Sequence, residues 1–250
     1  MVQLEKPNVV GIVGMPPLEI IRELNAADIV IHDLDTPLVK ADIELTTSYI
    51  PRVYCAILRT VVLNCLHLKL DAIYIDVGPG KCDCALHVAT VLEDMLDIPI
   101  YKTENDDMIG YGNPISQCNM ELLRKFEHIT EGVKSAAKPV GSPDFCQPTA
   151  GFWGVPPRDF SILDLFPATT HIYGWTRCME NKTPADHALE VKFNPDIPTV
   201  FYAQSFCAKT ALARHLADKH PHGLYLDSDV TAGGSAKAKV QAFLELSEVF

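Results

Sequence analysis

The chain has 250 residues and a formal net charge of −11; 48% of it is hydrophobic and 21% charged. That length supplies ample core for one large α/β domain or two smaller ones, and the composition is that of a folded chain rather than a disordered one. The acidic balance, with no cluster of Lys and Arg, excludes broad binding to nucleic acid or to an anionic membrane, because phosphate-rich partners need concentrated positive charge; a local basic pocket for a small anion is compatible with it.

Residues 1–8 are polar and short, which predicts no secretory signal peptide. Apolar runs of strand length, rich in Val, Ile and Tyr, fall at 9–13, 29–31, 72–77, 98–101, 170–173, 199–202 and 224–226. Most lack polar alternation, as strands buried on both faces do. Helices are expected between them, at 17–24, 51–68, 85–96, 120–134, 160–165, 207–218 and 236–246. The most lipid-like stretch, 53–70, carries Arg59, Asn64, His67 and Lys69 and reads as a buried helix, not a membrane span. Helices between buried strands supply the crossovers that parallel pairing needs, so the expected fold is α/β with mainly parallel, Rossmann-like sheets.

Two segments 140 positions apart open alike: Gly11-Ile-Val-Gly14-Met-Pro16-Pro17 and Gly151-Phe-Trp-Gly154-Val-Pro156-Pro157. Each runs on as turn, helix, strand. The echo predicts a pseudo-two-fold internal repeat of two similar halves, 1–140 and 141–250, with the boundary in the turn-rich stretch 138–148 and a ligand cleft where the halves face each other.

Several side chains in this frame are candidates for chemistry. Asp76-Val-Gly78-Pro-Gly80-Lys-Cys82-Asp-Cys84 leads a strand into a helix N-terminus, where backbone N–H groups favour an anion or a thiolate. Cys82 and Cys84 are therefore candidate metal ligands, although Cys-x-Cys lacks the spacing of a closed zinc site. Cys118, Cys178 and Cys207, near other element ends, would complete an iron–sulfur cluster or another transition-metal site if they converge, with Cys146 nearby in the hinge; Cys55 and Cys65 read as core. The eight cysteines, scattered and without an export signal, point to thiols or metal ligands and to a cytoplasmic location. His32, followed by Asp33 and Asp35, ends the second strand, a His-x-x-Asp pattern at the edge where open α/β sheets bind ligands; His32 and Asp33, with His171 and Arg177, are candidate catalytic groups, and Asp76 at its own strand end is a further candidate base or cation ligand. Gly14, Gly78, Gly80 and Gly154 allow close backbone approach to a cofactor, while Trp153 and Trp175 beside Arg177 suit a planar, carboxylate-bearing ligand. Ser205-Phe-Cys-Ala-Lys209-Thr210 lacks the glycines of a phosphate-binding loop, and Gly11-Ile-Val-Gly14 lacks the spacing of a dinucleotide fingerprint.

In outline the chain resembles two-domain α/β proteins that carry metallocofactors between repeated halves, such as the nitrogenase component-one type, and the class II chelatases of tetrapyrrole synthesis, though no signature of either matches residue by residue. The leading expectation is a protein that binds a metal or metallocofactor and acts on a small organic substrate. One alternative is a chelatase-like or transferase enzyme for a planar anionic ligand such as a tetrapyrrole; another is a non-catalytic scaffold. A small-molecule or cofactor ligand is the expected partner, and a homodimer is compatible with the reading.

Overall fold

The computed structural model describes residues 7–112, 114–138 and 143–249. Its contacts divide the chain into two compact units, Met1–Asp106 with Val133–Ala137 and Asp107–Gly132 with Lys138–Phe250. The expected boundary near residue 140 lies outside the described residues.

The first unit runs β1 (Val9–Val13), α1 (Leu18–Ala26), β2 (Val30–Asp33), a short 3-10 helix (Ile43–Ser48), α2 (Ala56–His67), β3 (Ala72–Asp76), α3 (Asp83–Met95) and β4 (Ile100–Thr103). Its four strands pair in the order β2-β1-β3-β4, all parallel. Strands β1 and β3 are central and almost wholly buried, which is why Val-Val-Gly-Ile-Val and Ala-Ile-Tyr-Ile carry hardly any polar residue. Helix α2 starts five residues later than its apolar pattern suggests. Pro51 and Tyr54 close their own turn, Tyr54 N donating to Pro51 O at 3.0 Å, and Cys55 is extended at φ −61°, ψ 152°.

The second unit contains α4 (Leu122–Gly132), β5 (Gly151–Gly154), a 3-10 helix (Phe160–Leu165), β6 (His171–Tyr173), α5 (Trp175–Asn181), α6 (His187–Glu190), β7 (Thr199–Gln204), α7 (Thr210–Lys219), β8 (Gly223–Ser228) and α8 (Gly234–Leu246). The order is β6-β5-β7-β8, again all parallel. Helix α4 packs in this unit, against α5 and the 3-10 helix. Its core includes the edge-to-face pair Phe126–Phe152, centroids 5.1 Å apart. Strand β5 falls outside the apolar runs read from the sequence, since glycine stands at both its ends. Gly151 is required there because a Cβ would lie 2.4 Å from Thr199 Oγ1. Helix α5 also carries no sequence signal: it starts on Gly174 at φ 75° and ends on left-handed Lys182 at φ 63°.

The two sheets share a register detail. Gly11 of β1 pairs with His32 of β2, and Gly151 of β5 pairs with His171 of β6. No helix among the described residues is long and apolar enough to cross a membrane.

Candidate functional site

In an open parallel sheet the connections leave in opposite directions at one point, and the crevice beyond the strand ends there is the usual ligand position. In the first unit that point lies between β1 and β3. Gly14 follows β1 in the left-handed region at φ 70°. Its N–H donates to Asp35 Oδ2 at 2.9 Å, across from the loop after β2. Asp33 Oδ1 in turn accepts the Asp35 N–H at 3.1 Å. At the end of β3, Asp76 Oδ1 accepts the N–H groups of Gly78 and Asn105, each at 3.1 Å. The other oxygen, Oδ2, lies 2.5 Å from Lys81 Nζ, with the two side chains 0% and 7% exposed. Asn105 closes the arrangement by donating from Nδ2 to Met15 O (3.0 Å) and Pro16 O (3.3 Å), which ties the Gly-Met-Pro-Pro corner to the end of β4.

Gly14 is what lets these groups meet. A Cβ there would lie 3.2 Å from Lys81 Cε and 3.5 Å from Asp76 Cβ. Without a side chain on β1, an aspartate from β2's side and the acid–lysine pair from β3's side share one space above the strand end. Gly78 has a packing reason too, since a Cβ would lie 2.8 Å from Asn105 N; Gly80 takes φ 82°.

Burial pushes the Asp35 carboxyl from its ordinary 3.8 up to about 6; the Gly14 N–H and the Lys81 ammonium oppose that, and Asp76 adds to it. Asp76 is also raised, by burial first, against the Lys81 charge and its hydrogen bonds. A half-buried carboxyl and a buried one beside the same ammonium give the site a proton that exchanges near pH 6, as acid–base chemistry requires. Of the residues singled out from the sequence, Gly14, Asp33, Asp35, Asp76 and Gly78 are brought together here. His32 lies on β2, and Cys82 and Cys84 stand at the N-cap and second residue of α3, both partly exposed.

The second unit's switch point lies between β5 and β7 and is chemically different. Gly154 comes so close to β7 that a Cβ would be 2.1 Å from Tyr202 O. Gln204 is fully buried. Its Oε1 accepts from Arg158 N at 3.1 Å and Tyr202 Oη at 3.2 Å, while Nε2 donates to Ser228 O at 2.7 Å and to Asp229 O. A buried carboxamide bonded to a phenol hydroxyl stands here in place of an acid–lysine pair, with the Arg158 guanidinium nearby on Val230 O at 3.4 Å. Trp153 is fully enclosed among Tyr173, Phe201 and Ala213, with Nε1 donating to Glu190 O at 2.7 Å. Trp175 opens α5 and lies 4.4 Å beneath Lys209 Nζ, which also pairs with Glu190.

Three other candidates, His171, Arg177 and Cys118, gather in a buried polar cluster of the second unit with Lys125, Cys146 and Glu180. Lys125 is wholly buried, and its Nζ donates to Thr170 O at 2.6 Å. His171 Nε2 lies 2.9 Å from Cys146 O and 3.8 Å from its sulfur. A carbonyl only accepts, so Nε2 carries the proton, and burial lowers the imidazole's pKa and keeps it neutral. Glu180 accepts from Ile115 N at 2.7 Å and Ser116 N at 3.2 Å.

Cys178 lies inside α5 at 0% exposure, donating to Asp186 O at 3.7 Å, and burial pushes its thiol to about 12. Burial also raises the Cys118 thiol, which donates to Ile115 O at 3.1 Å. Cys207 is partly exposed in the turn after β7. Among the described residues, no group of three or more His, Cys, Asp or Glu side chains is placed to hold a metal ion. No family model matches the chain, and no curated protein matches it.

Proposed function

We propose that the protein is an enzyme that handles a small organic substrate at the carboxyl edge of its first sheet, with Asp35, Asp76 and Lys81 as its acid–base group. The observation that carries this reading is the convergence of those three side chains over Gly14 at the switch point, where the fold class places ligands. A raised carboxyl held beside a buried ammonium is a combination that stability alone does not favour, because desolvated charges cost more than apolar packing of the same volume.

Two further observations support reading the units as copies of one building block: their sheets have the same strand order, and a histidine pairs with the first glycine of each Gly-x-x-Gly-x-Pro-Pro segment. In that reading the first copy keeps an acid–lysine pair at its switch point and the second has a buried carboxamide there.

The test is binding of a library of small metabolites, followed by backbone amide NMR. Ligands of the site shift the amides of Gly14, Gly78 and Asn105, and Lys81→Met abolishes those shifts while the remaining spectrum is retained. Hits that perturb only the second unit, or hits unaffected by Lys81→Met, overturn the reading. A metallocofactor reading would draw on the partly exposed Cys82 and Cys84 beside Lys81, and metal analysis with absorption spectroscopy after anaerobic purification tests it directly. The burial of Cys118 and Cys178 works against their service as thiolate ligands.

A further inference from the structure

We infer that Asn64, on α2, is the positioning residue for Asp35, and that it acts through the loop that carries the carboxylate. This rests on the acid–base reading above. The Asn64 side chain is wholly buried. Its Nδ2 donates to Leu34 O at 2.9 Å and to Thr36 O at 2.8 Å, and its Oδ1 accepts from Leu38 N at 3.3 Å. Those partners stand immediately before Asp35, immediately after it, and three positions on. One carboxamide thus satisfies three backbone groups that leave the sheet edge with no ladder partner, and it fixes the path of the chain on both sides of Asp35. Asparagine is a poor choice for a helix interior, and leucine has a similar branched shape; what leucine lacks is any donor for the two carbonyls.

The consequence is that Asp35 is held over Gly14 by a clamp anchored in a different element. The hydrogen bonds of the Asn64 carboxamide go to backbone groups on either side of Asp35. The clamp keeps Asp35 Oδ2 on the Gly14 N–H and keeps water from entering beneath the loop. Asp33 Oδ1, bonded to the Asp35 N–H, and Asn105, bonded to the Met15 and Pro16 carbonyls, brace the other sides of the same space.

The experiment is a carbon-13 NMR titration of the Asp35 carboxyl in the full chain, for the wild-type protein and for Asn64→Ala. The wild type titrates at about 6, and in the variant the midpoint falls toward the ordinary 3.8, by about one unit or more, as the unclamped loop admits water. The amides of Val10 and Ile73 in the central strands stay in place. A midpoint that stays near 6 in the variant while only the melting temperature drops overturns the positioning role and leaves the acid–base reading standing. A wild-type Asp35 that titrates as an ordinary aspartate defeats both. If Asn64→Ala does not fold, Asn64→Ser, which retains a donor for one carbonyl, carries the same test: a smaller downward shift is expected, and no shift overturns the role.

Discussion

Lys81 and Asp76 are five residues apart in sequence and meet across the Gly-Pro-Gly turn at 2.5 Å, with side chains 7% and 0% exposed. Neither charge is at home in so dry a place without the other. The pair therefore makes the switch point of the first sheet sensitive to any change in either partner.

Replacing the lysine alone leaves a buried carboxylate uncompensated. Lys81→Met should cost about 3 kcal/mol of unfolding free energy. Adding Asp76→Asn, which keeps the acceptor for the Gly78 and Asn105 N–H groups but removes the charge, should restore most of it. Urea denaturation of the two single variants and the double variant gives the coupling; a Lys81→Met loss within the error of the measurement would show that water reaches the pair.

Asp35 gives stability a pH dependence of known sign. Its folded-state midpoint of about 6 lies above the ordinary 3.8, so between those values the folded protein holds a proton that the unfolded chain has released. Stability falls as pH rises through this window, and the loss is complete above it. Asp35→Asn removes the penalty: the variant should match the wild type below the window and exceed it above by up to about 3 kcal/mol, less where solvent reaches the half-buried carboxyl. Denaturation midpoints across the range decide the matter, and a gap that does not change with pH would count against the raised midpoint.

The two turn glycines should respond unequally to alanine. At Gly14 the new methyl meets the flexible Lys81 stem at 3.2 Å, in a backbone at φ 70°, for a cost of about 1 to 2 kcal/mol. At Gly154 it would meet the Tyr202 carbonyl oxygen at 2.1 Å, and backbone cannot swing aside. Gly154→Ala should therefore lower the melting temperature far more, or prevent folding. Equal effects would mean that the packing at β5 and β7 is looser than these distances imply.

The cysteines should sort by accessibility. Native alkylation followed by mass spectrometry should label Cys82, Cys84, Cys146 and Cys207 and spare Cys55, Cys65, Cys118 and Cys178. Burial pushes the thiols of Cys65 and Cys178 to about 12, which leaves almost no thiolate to react. Rapid labelling of Cys178 would show that α5 opens readily.

The sheet architecture was legible because its central strands advertise themselves. Val9–Val13 and Thr199–Gln204 are nearly continuous apolar or β-branched runs, and helices between such runs leave parallel pairing as the natural outcome. Gly151–Gly154 was illegible for the opposite reason: two aromatics between two glycines look like a turn until Thr199 and Tyr202 are seen pressing on the missing side chains. The candidate site was half legible. Gly14, Gly78, Asp33, Asp35 and Asp76 carry local signals, being glycines and acids at strand ends. The meeting of Asp35 with Lys81 carries none, since it depends on β1 lying between β2 and β3 and on Gly14 leaving the gap. Asn64 and Lys125 were hidden for a related reason, as polar residues in helices whose partners come from distant loops.

Both tryptophans of the chain, Trp153 and Trp175, belong to the second unit. Indole fluorescence is thus a one-sided witness. Trp153, sealed from water and bonded to the Glu190 carbonyl, should emit at short wavelength and resist acrylamide, whereas loosening of the sheet that carries Asp35 would pass without an optical trace. Any spectroscopist who follows this protein by tryptophan alone will see one sheet melt and miss the other; far-ultraviolet dichroism recorded alongside is what would bring the silent unit into view.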